Sequence, residues 1–227
     1  MSARFDPSRL ALVDQVGDVL LVRGNLPLVG QDLHFAWKEL TAVLPYWVTE
    51  GAEFIDVSLI DNVGEGWAFY PEIRAFGLDA SKYKPVVWPP YLKFPGWFPR
   101  TPVGSGRLVS APEGVDRQGH VVWWPIEGVP QGEDPKVYLG SPGWDLIGLV
   151  ESLIDATTSG RKLVVYFHCM NGADRTCALH GAYLMKTKRI SCAEALTKVT
   201  KATAAGAPNA DYQRLMLAYS KTFGWTS

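Results

Sequence analysis

Lys162–Lys186 reads KLVVYFHCMNGADRTCALHGAYLMK, and its parts come in a chemically meaningful order. Lys162–Phe167 is a short β-branched and aromatic run, the composition of a buried strand. Cys169 follows it, and Arg175 closes a spacer made of Met170, Asn171, Gly172, Ala173 and Asp174. Gly172 suits a loop whose backbone turns tightly and comes close to a ligand. After Thr176, the residues Ala178, Leu179, Ala182, Tyr183 and Met185 recur at helical spacing. Strand, short loop and helix N-terminus together aim backbone N–H groups at one spot.

A thiol is a poor nucleophile until it loses its proton, near pH ~8.5 for a free cysteine, and converging N–H groups favour the thiolate. The same N–H groups suit the oxygens of a phosphoryl group, and Arg175 adds a planar fork that matches two of them. Cys169 is then placed to attack phosphorus, giving a phosphocysteine that water hydrolyses. Thr176 is placed to donate its hydroxyl to the departing sulfur. The plainer reading makes Cys169 a core cysteine, since free Cys is among the most buried residue types; Gly172, Arg175, Thr176 and the following helix weigh against it. Cys177 and Cys192 fall in helical patterns and read as core residues. A protective disulfide between Cys177 and Cys169, or a protective role for Cys192, is the redox alternative.

His168–Thr176, HCMNGADRT, resembles the signature loop HC-x5-R-[ST] of the protein tyrosine phosphatase superfamily. The resemblance implies Cys169 as nucleophile and Arg175 as phosphate ligand. Met170, Asn171, Gly172, Ala173 and Asp174 would line the phosphate, Thr176 is the hydroxyl residue, and His168 helps fix loop and thiolate. Cys177 stands where the family usually has Gly. Pro208–Leu215, PNADYQRL, is similar to the PN-x-GF-x-x-QL segment near the end of dual-specificity phosphatases, with Asp211-Tyr212 for Gly-Phe and Arg214 for Gln. The implied function is hydrolysis of phosphomonoesters, on protein phosphotyrosine or with dual specificity, without a cofactor. The implied fold is the tyrosine-phosphatase-like three-layer α/β arrangement.

That chemistry needs an acid for the leaving oxygen, worth ~10²–10⁴ in rate. Trp124–Pro130, WPIEGVP, is similar to the family's WPD-x-GVP loop, but Ile126 holds the aspartate position. Glu127 is its neighbour, and Asp134 lies farther along. CMNGADRT also fits C-x-x-G-x-D-R-T, the form seen in phosphoinositide phosphatases, where the aspartate before the arginine is thought able to act as acid; here that is Asp174. The structural alternative for Asp174 is an acid in the first turn of a helix, which favours the dipole. The alternatives in function are a phosphoinositide or inositol phosphate phosphatase, and a pseudophosphatase that binds phosphorylated partners without hydrolysing them.

The remaining chain is compatible with these readings. A length of 227 residues at 47% hydrophobic composition reads as one domain, 1–227, with a Trp/Pro-rich insertion at 83–107. Lys82, Lys84, Lys93, Arg100 and Arg107 in or beside that insertion are candidates to meet an anionic substrate. Net charge is −1, which gives no bulk attraction to nucleic acid. No apolar run approaches the length of a membrane span, so none is expected; the N-terminal residues lack the apolar core of a signal peptide, and cysteine usage suggests a reducing, cytoplasmic compartment. His34, His120, His168 and His180 lack metal-ligand spacing, so no metal is expected.

Strands are predicted at Asp18–Arg23, Glu53–Ile60 and His120–Ile126. Helices are predicted at Gln31–Tyr46, from Ser141-Pro142 to Gly160, from a capping box at Ser191 to about Ala204, and from Pro208-Asn209 through Phe223. Alternation of strands and helices argues for α/β architecture, a central, largely parallel sheet flanked by helices.

Overall fold

The computed structural model describes residues 5–44, 51–60, 64–79, 104–107, 118–140 and 145–225, with 104–107 and 118 described by backbone only. In chain order the strands are β1 (Ala11–Val16), β2 (Val19–Asn25), β3 (Leu28–Val29), β4 (His34–Phe35), β5 (Glu53–Ser58), β6 (Gly104–Arg107), β7 (Gln118–Trp123) and β8 (Leu163–Cys169). The helices are α1 (Trp37–Val43), α2 (Gly66–Ala75), α3 (Lys136–Leu139), α4 (Leu146–Thr157), α5 (Asp174–Lys188), α6 (Cys192–Lys201) and α7 (Ala210–Thr222). A 3-10 turn, Pro7–Arg9, precedes β1.

The main sheet has the order β1-β2-β8-β5-β7-β6. Its four inner strands run parallel, and β1 and β6 lie antiparallel at the edges. The α/β expectation of a largely parallel sheet is met. VLLVRGN and LVVYFHC, β2 and β8, are buried at every position, as strands covered on both faces must be. Edge strand β1 is half-exposed. Between β2 and β8 the pairing runs to Gly24–His168 and Asn25–Cys169, so the end of β2 backs the start of the 169–175 loop.

Helix α5 is buried from Thr176 to Met185, and α4, α6 and α7 pack around it. Caps fix where these helices begin. The Asp145 side chain accepts from Gly148 N at 2.7 Å, Ser191 Oγ from Glu194 N at 3.2 Å, and Asn209 Oδ1 from Asp211 N and Tyr212 N. On the other face of the sheet, Phe35, Trp37, Phe54 and Phe76 form an aromatic cluster with ring centroids 4.0–6.5 Å apart.

Several predicted elements change. The Gln31–Tyr46 helix is only Trp37–Val43, because Leu33 takes a left-handed turn and His34–Phe35 pairs with Leu28–Val29 instead. Packing of Phe35 among the aromatic rings outweighs the helical periodicity. The first strand extends to Asn25, the second ends at Ser58, and the third runs from Gln118 and ends at Trp123. The Ser141-Pro142 start and residues 83–103 of the insertion lie outside the described residues, as do Lys82, Lys84, Lys93 and Arg100. The rest of the insertion, Gly104–Arg107, is an edge strand. Among the described residues no helix is long and apolar enough to cross a membrane.

Candidate active site

Cys169 ends β8, buried, with the N-terminus of α5 beyond it. The buried Thr176 hydroxyl donates to Cys169 Sγ at 3.1 Å. The loop between them is shaped from outside. Leu26 N donates to Met170 O at 3.3 Å, Arg9 Nη1 to Asn171 O at 2.6 Å, and Arg23 Nη2 to Gly172 O at 2.7 Å. In a trans peptide the carbonyl and the next N–H point opposite ways. Three successive carbonyls drawn outward therefore leave the N–H groups of Asn171, Gly172 and Ala173 facing the loop's interior, an anion-binding nest. Gly172 is required there. Its φ is +66°, and a Cβ would lie 2.8 Å from Gly24 O.

Arg175, in the first turn of α5, donates through Nε to the Tyr212 hydroxyl at 3.2 Å and through Nη1 to Glu65 Oε2. Burial opposes its charge, but the neighbouring Tyr212, Glu65, Cys169 and Glu127 hold its pKa above the ordinary arginine range. The guanidinium is thus held by one residue from α7 and one from the start of α2. Tyr212 stays a phenol, since burial pushes its pKa up further than Arg175 lowers it.

Trp124–Pro130 runs beside this group without regular structure. Trp124 Nε1 donates to Asp145 O at 3.0 Å, Val129 N to Asp211 O at 2.9 Å, and Arg214 Nε to Val129 O at 2.7 Å. Gly128 lies against the first turn of α7, where a Cβ would meet Asp211 Cβ at 2.6 Å and Tyr212 N at 3.1 Å. Ile126 points into the core at 0% exposure, whereas Glu127 is half-buried and its charge acts on both Arg175 and Tyr212. Asp174 Oδ1 accepts from Asn209 N at 2.7 Å, at the cap of α7. Asp134 is exposed and accepts from Lys136 N at 3.0 Å.

Behind the cysteine, His168 is fully buried with two carboxylates. Its Nε2 lies 3.2 Å from Asp56 Oδ1 and 3.3 Å from Glu72 Oε1, and Ser58 Oγ donates to Glu72 Oε2 at 3.2 Å. One donor atom from each of Asp56, Glu72 and His168 falls within 4.8 Å of the others, a spacing that a metal ion could also bridge. The contacts from Nε2 are hydrogen-bond lengths, and the cluster reads as one that shares protons. Burial pushes Asp56 up to about 8, and Glu72 adds to it. Burial works against a charged His168, yet Glu72 and Asp56 raise its pKa well above the ordinary histidine value.

The residues expected from the sequence around Cys169 thus come together, the charge of Glu127 acts on Arg175, and Asp134 is exposed and bonded to Lys136 N. Arg9, Arg23, Asp56, Glu65 and Glu72 were not anticipated. Arg23 left a signal, a lone charge within the apolar run VLLVRGN; the others carry none, since the topology alone delivers them.

A cysteine at the end of an inner parallel strand, a five-residue nest and an arginine opening the next helix together define a cysteine-dependent phosphatase. Residues 145–222 match the family model described as dual specificity phosphatase, catalytic domain. No curated protein is significantly similar to it in sequence. Among solved structures, PTPMT1 in complex with PI(5)P aligns over 95% of this chain and 96% of its own, at 14% identity and a TM-score of 0.52. Kinase associated phosphatase, with its catalytic cysteine replaced by serine, aligns over 90% and 88%, at 13% identity and a TM-score of 0.50. At these identities the likeness is one of fold.

Proposed function

We propose that the chain hydrolyses phosphomonoesters of proteins, phosphotyrosine first, through a phosphocysteine at Cys169. The observation that carries this is the nest itself. The Met170, Asn171 and Gly172 carbonyls are held outward, which turns the N–H groups that follow them toward the loop's interior, Arg175 opens the next helix, and Thr176 donates to Sγ. The Cys169 thiolate attacks phosphorus, the S–P bond forms, and the P–O bond to the leaving group breaks. Glu127 in its acid form delivers the proton to the leaving oxygen. Water, deprotonated by Glu127, then attacks phosphorus and the thiolate departs, stabilised by Thr176.

Glu127 takes the acid's role because the loop's dock on α7 leaves Ile126 in the core and Glu127 half-buried where its charge acts on Arg175. Asp174 takes the structural role, because its carboxylate accepts from the cap of α7. Trp67, 47% exposed and two residues from Glu65, offers an aromatic surface near the arginine's partner, which suits an aryl ester. The Asp174-Arg175-Thr176 ending, with Arg9 bound to the loop's rim, favours phosphoinositides as the second reading.

Cys169→Ser is expected to abolish turnover of p-nitrophenyl phosphate. Glu127→Gln should lose ~10²-fold or more on aryl phosphates with poor leaving groups and little on good ones. The reverse pattern, with Asp174→Asn carrying that loss, would reassign the acid. Phosphate release from a panel of phosphopeptides and phosphoinositides separates the two substrate classes.

A further inference from the structure

Arg23 is fully buried in β2, and its partners among the described residues are all neutral. Nη1 donates to His180 Nδ1 at 3.2 Å and to Val199 O at 3.3 Å. Nη2 donates to Gly172 O at 2.7 Å and Cys177 Sγ at 3.1 Å, and lies 3.5 Å from Thr203 Oγ1. His180 cannot answer the charge, since burial and then Arg23 itself push it down to about 3. Burial raises the Cys177 thiol more than Arg23 lowers it. Asp174, the loop's own acid, is turned to Asn209 N. A guanidinium does not give up its proton, and a buried charge without a counter-charge is costly.

The contrast with the other two arginines on this loop is direct. Arg175 is paired with Glu65, and Arg9 with Asp6 at 3.3 Å. Arg23 alone has no carboxylate among the described residues. Its shortest bond runs to Gly172 O, the far end of the peptide whose Ala173 N–H faces the nest. A cation on the carbonyl oxygen polarises that peptide and strengthens its N–H as a donor.

Given the phosphate-site reading above, on which this rests, we propose that Arg23 is a positioning residue for the oxyanion. The anion held in the 169–175 loop is the counter-charge that its buried guanidinium lacks in the protein alone. Arg23 fixes the Gly172 carbonyl outward and supplies positive potential from behind the loop, where no solvent screens it.

The test measures tungstate binding to the full chain by calorimetry, alongside its melting temperature. Arg23→Met should bind tungstate at least about tenfold more weakly, as expected for loss of a charge or donor facing a bound oxyanion. Arg23→Lys keeps the charge without the fork and should fall between. Should Arg23→Met fail to fold, Thr203→Asp decides alone. It places a carboxylate beside Nη2, and that carboxylate can also take over the bond that Thr203 Oγ1 accepts from Ala205 N. The free protein should then melt higher while tungstate binds several-fold more weakly, a pairing that a merely structural arginine would not produce. Unchanged affinity in Thr203→Asp, or in folded Arg23→Met, overturns the proposal while the phosphate site stands. A parent chain that binds no tungstate overturns the phosphate site and this inference together.

Discussion

Asp56 is the residue with the most to say about pH. It is fully buried, no hydrogen-bond donor among the described residues is aligned with either oxygen, and its carboxyl is pushed up to about 8. Between the ordinary aspartate range, ~3.9, and that value, the folded chain holds a proton that the unfolded chain releases. The folded state binds the extra proton, so stability falls as pH rises through this window and levels off above it. The raised His168 acts with the same sign, its contribution being lost as pH climbs through its folded pKa. Asp56→Asn removes the first effect and can donate to Glu72. Its melting temperature should match the parent near about pH 5 and exceed it by about 3–6 °C near about pH 8.5. Parallel curves for the two proteins would show that the cluster carries no such proton. At the same scale, Gly172→Ala must adopt a φ near +66° with its Cβ 2.8 Å from Gly24 O. A loss of about 1–3 kcal/mol in chemical denaturation is expected, with oxyanion binding lost alongside.

Among elements, the first turn of α7 does more than pack. It holds Val129 of the 124–130 loop through Asp211 O and Arg214, and Asn209 at its cap bonds Asp174 of the 169–175 loop. Arg214→Ala frees one side of the loop that carries Glu127, the proposed acid. Turnover of poor leaving groups should drop about tenfold with good ones nearly unchanged, as read from kcat across a series of aryl phosphates. Equal losses on all of them would mean that Arg214 does not position the acid. Gly128→Ala pushes on Asp211 and on helix backbone that cannot yield, so the same pattern should come with about 1–3 kcal/mol of destabilisation.

Elements also show what sequence reveals. The inner strands β2, β5 and β8 and the helices α4 to α7 were legible because apolar runs, caps and helical spacing are local signals. Helix α2 was not, because Pro71 sits inside it and interrupts the pattern. Edge strand β6 was hidden in a Trp- and Pro-rich stretch, and β3 and β4 are two residues each. The site divides the same way. Cys169, Arg175 and Thr176 stand within one strand–loop–helix unit and could be read directly. Arg9, Arg23 and Glu65 reach that unit only because the sheet brings distant segments beside it.

Over the whole molecule, the far N-terminal side of the chain serves the loop near its C-terminal side. Arg9, in the turn before β1, bonds Asn171 O, and Asp6 N donates to the Asn25 side chain next to Cys169 in the sheet. Arg9 is 32% exposed and its partners lie at the molecule's edge, so Arg9→Ala should leave the melting temperature within about 2 °C while kcat/KM falls about five- to tenfold through KM. A fall in kcat alone would point to chemistry rather than to the shape of the nest.

The bond from Asn209 N to the Asp174 carboxylate has a further consequence. Site and helix share a free-energy linkage, so whatever steadies one steadies the other. An oxyanion seated in the nest should slow amide hydrogen exchange in the first turns of α7, a segment beginning 35 residues after Asp174. Asp174→Asn, which weakens the tie, should uncouple that protection even where the anion still binds. The helix thereby becomes a remote gauge of occupancy, readable by mass spectrometry without any substrate turning over.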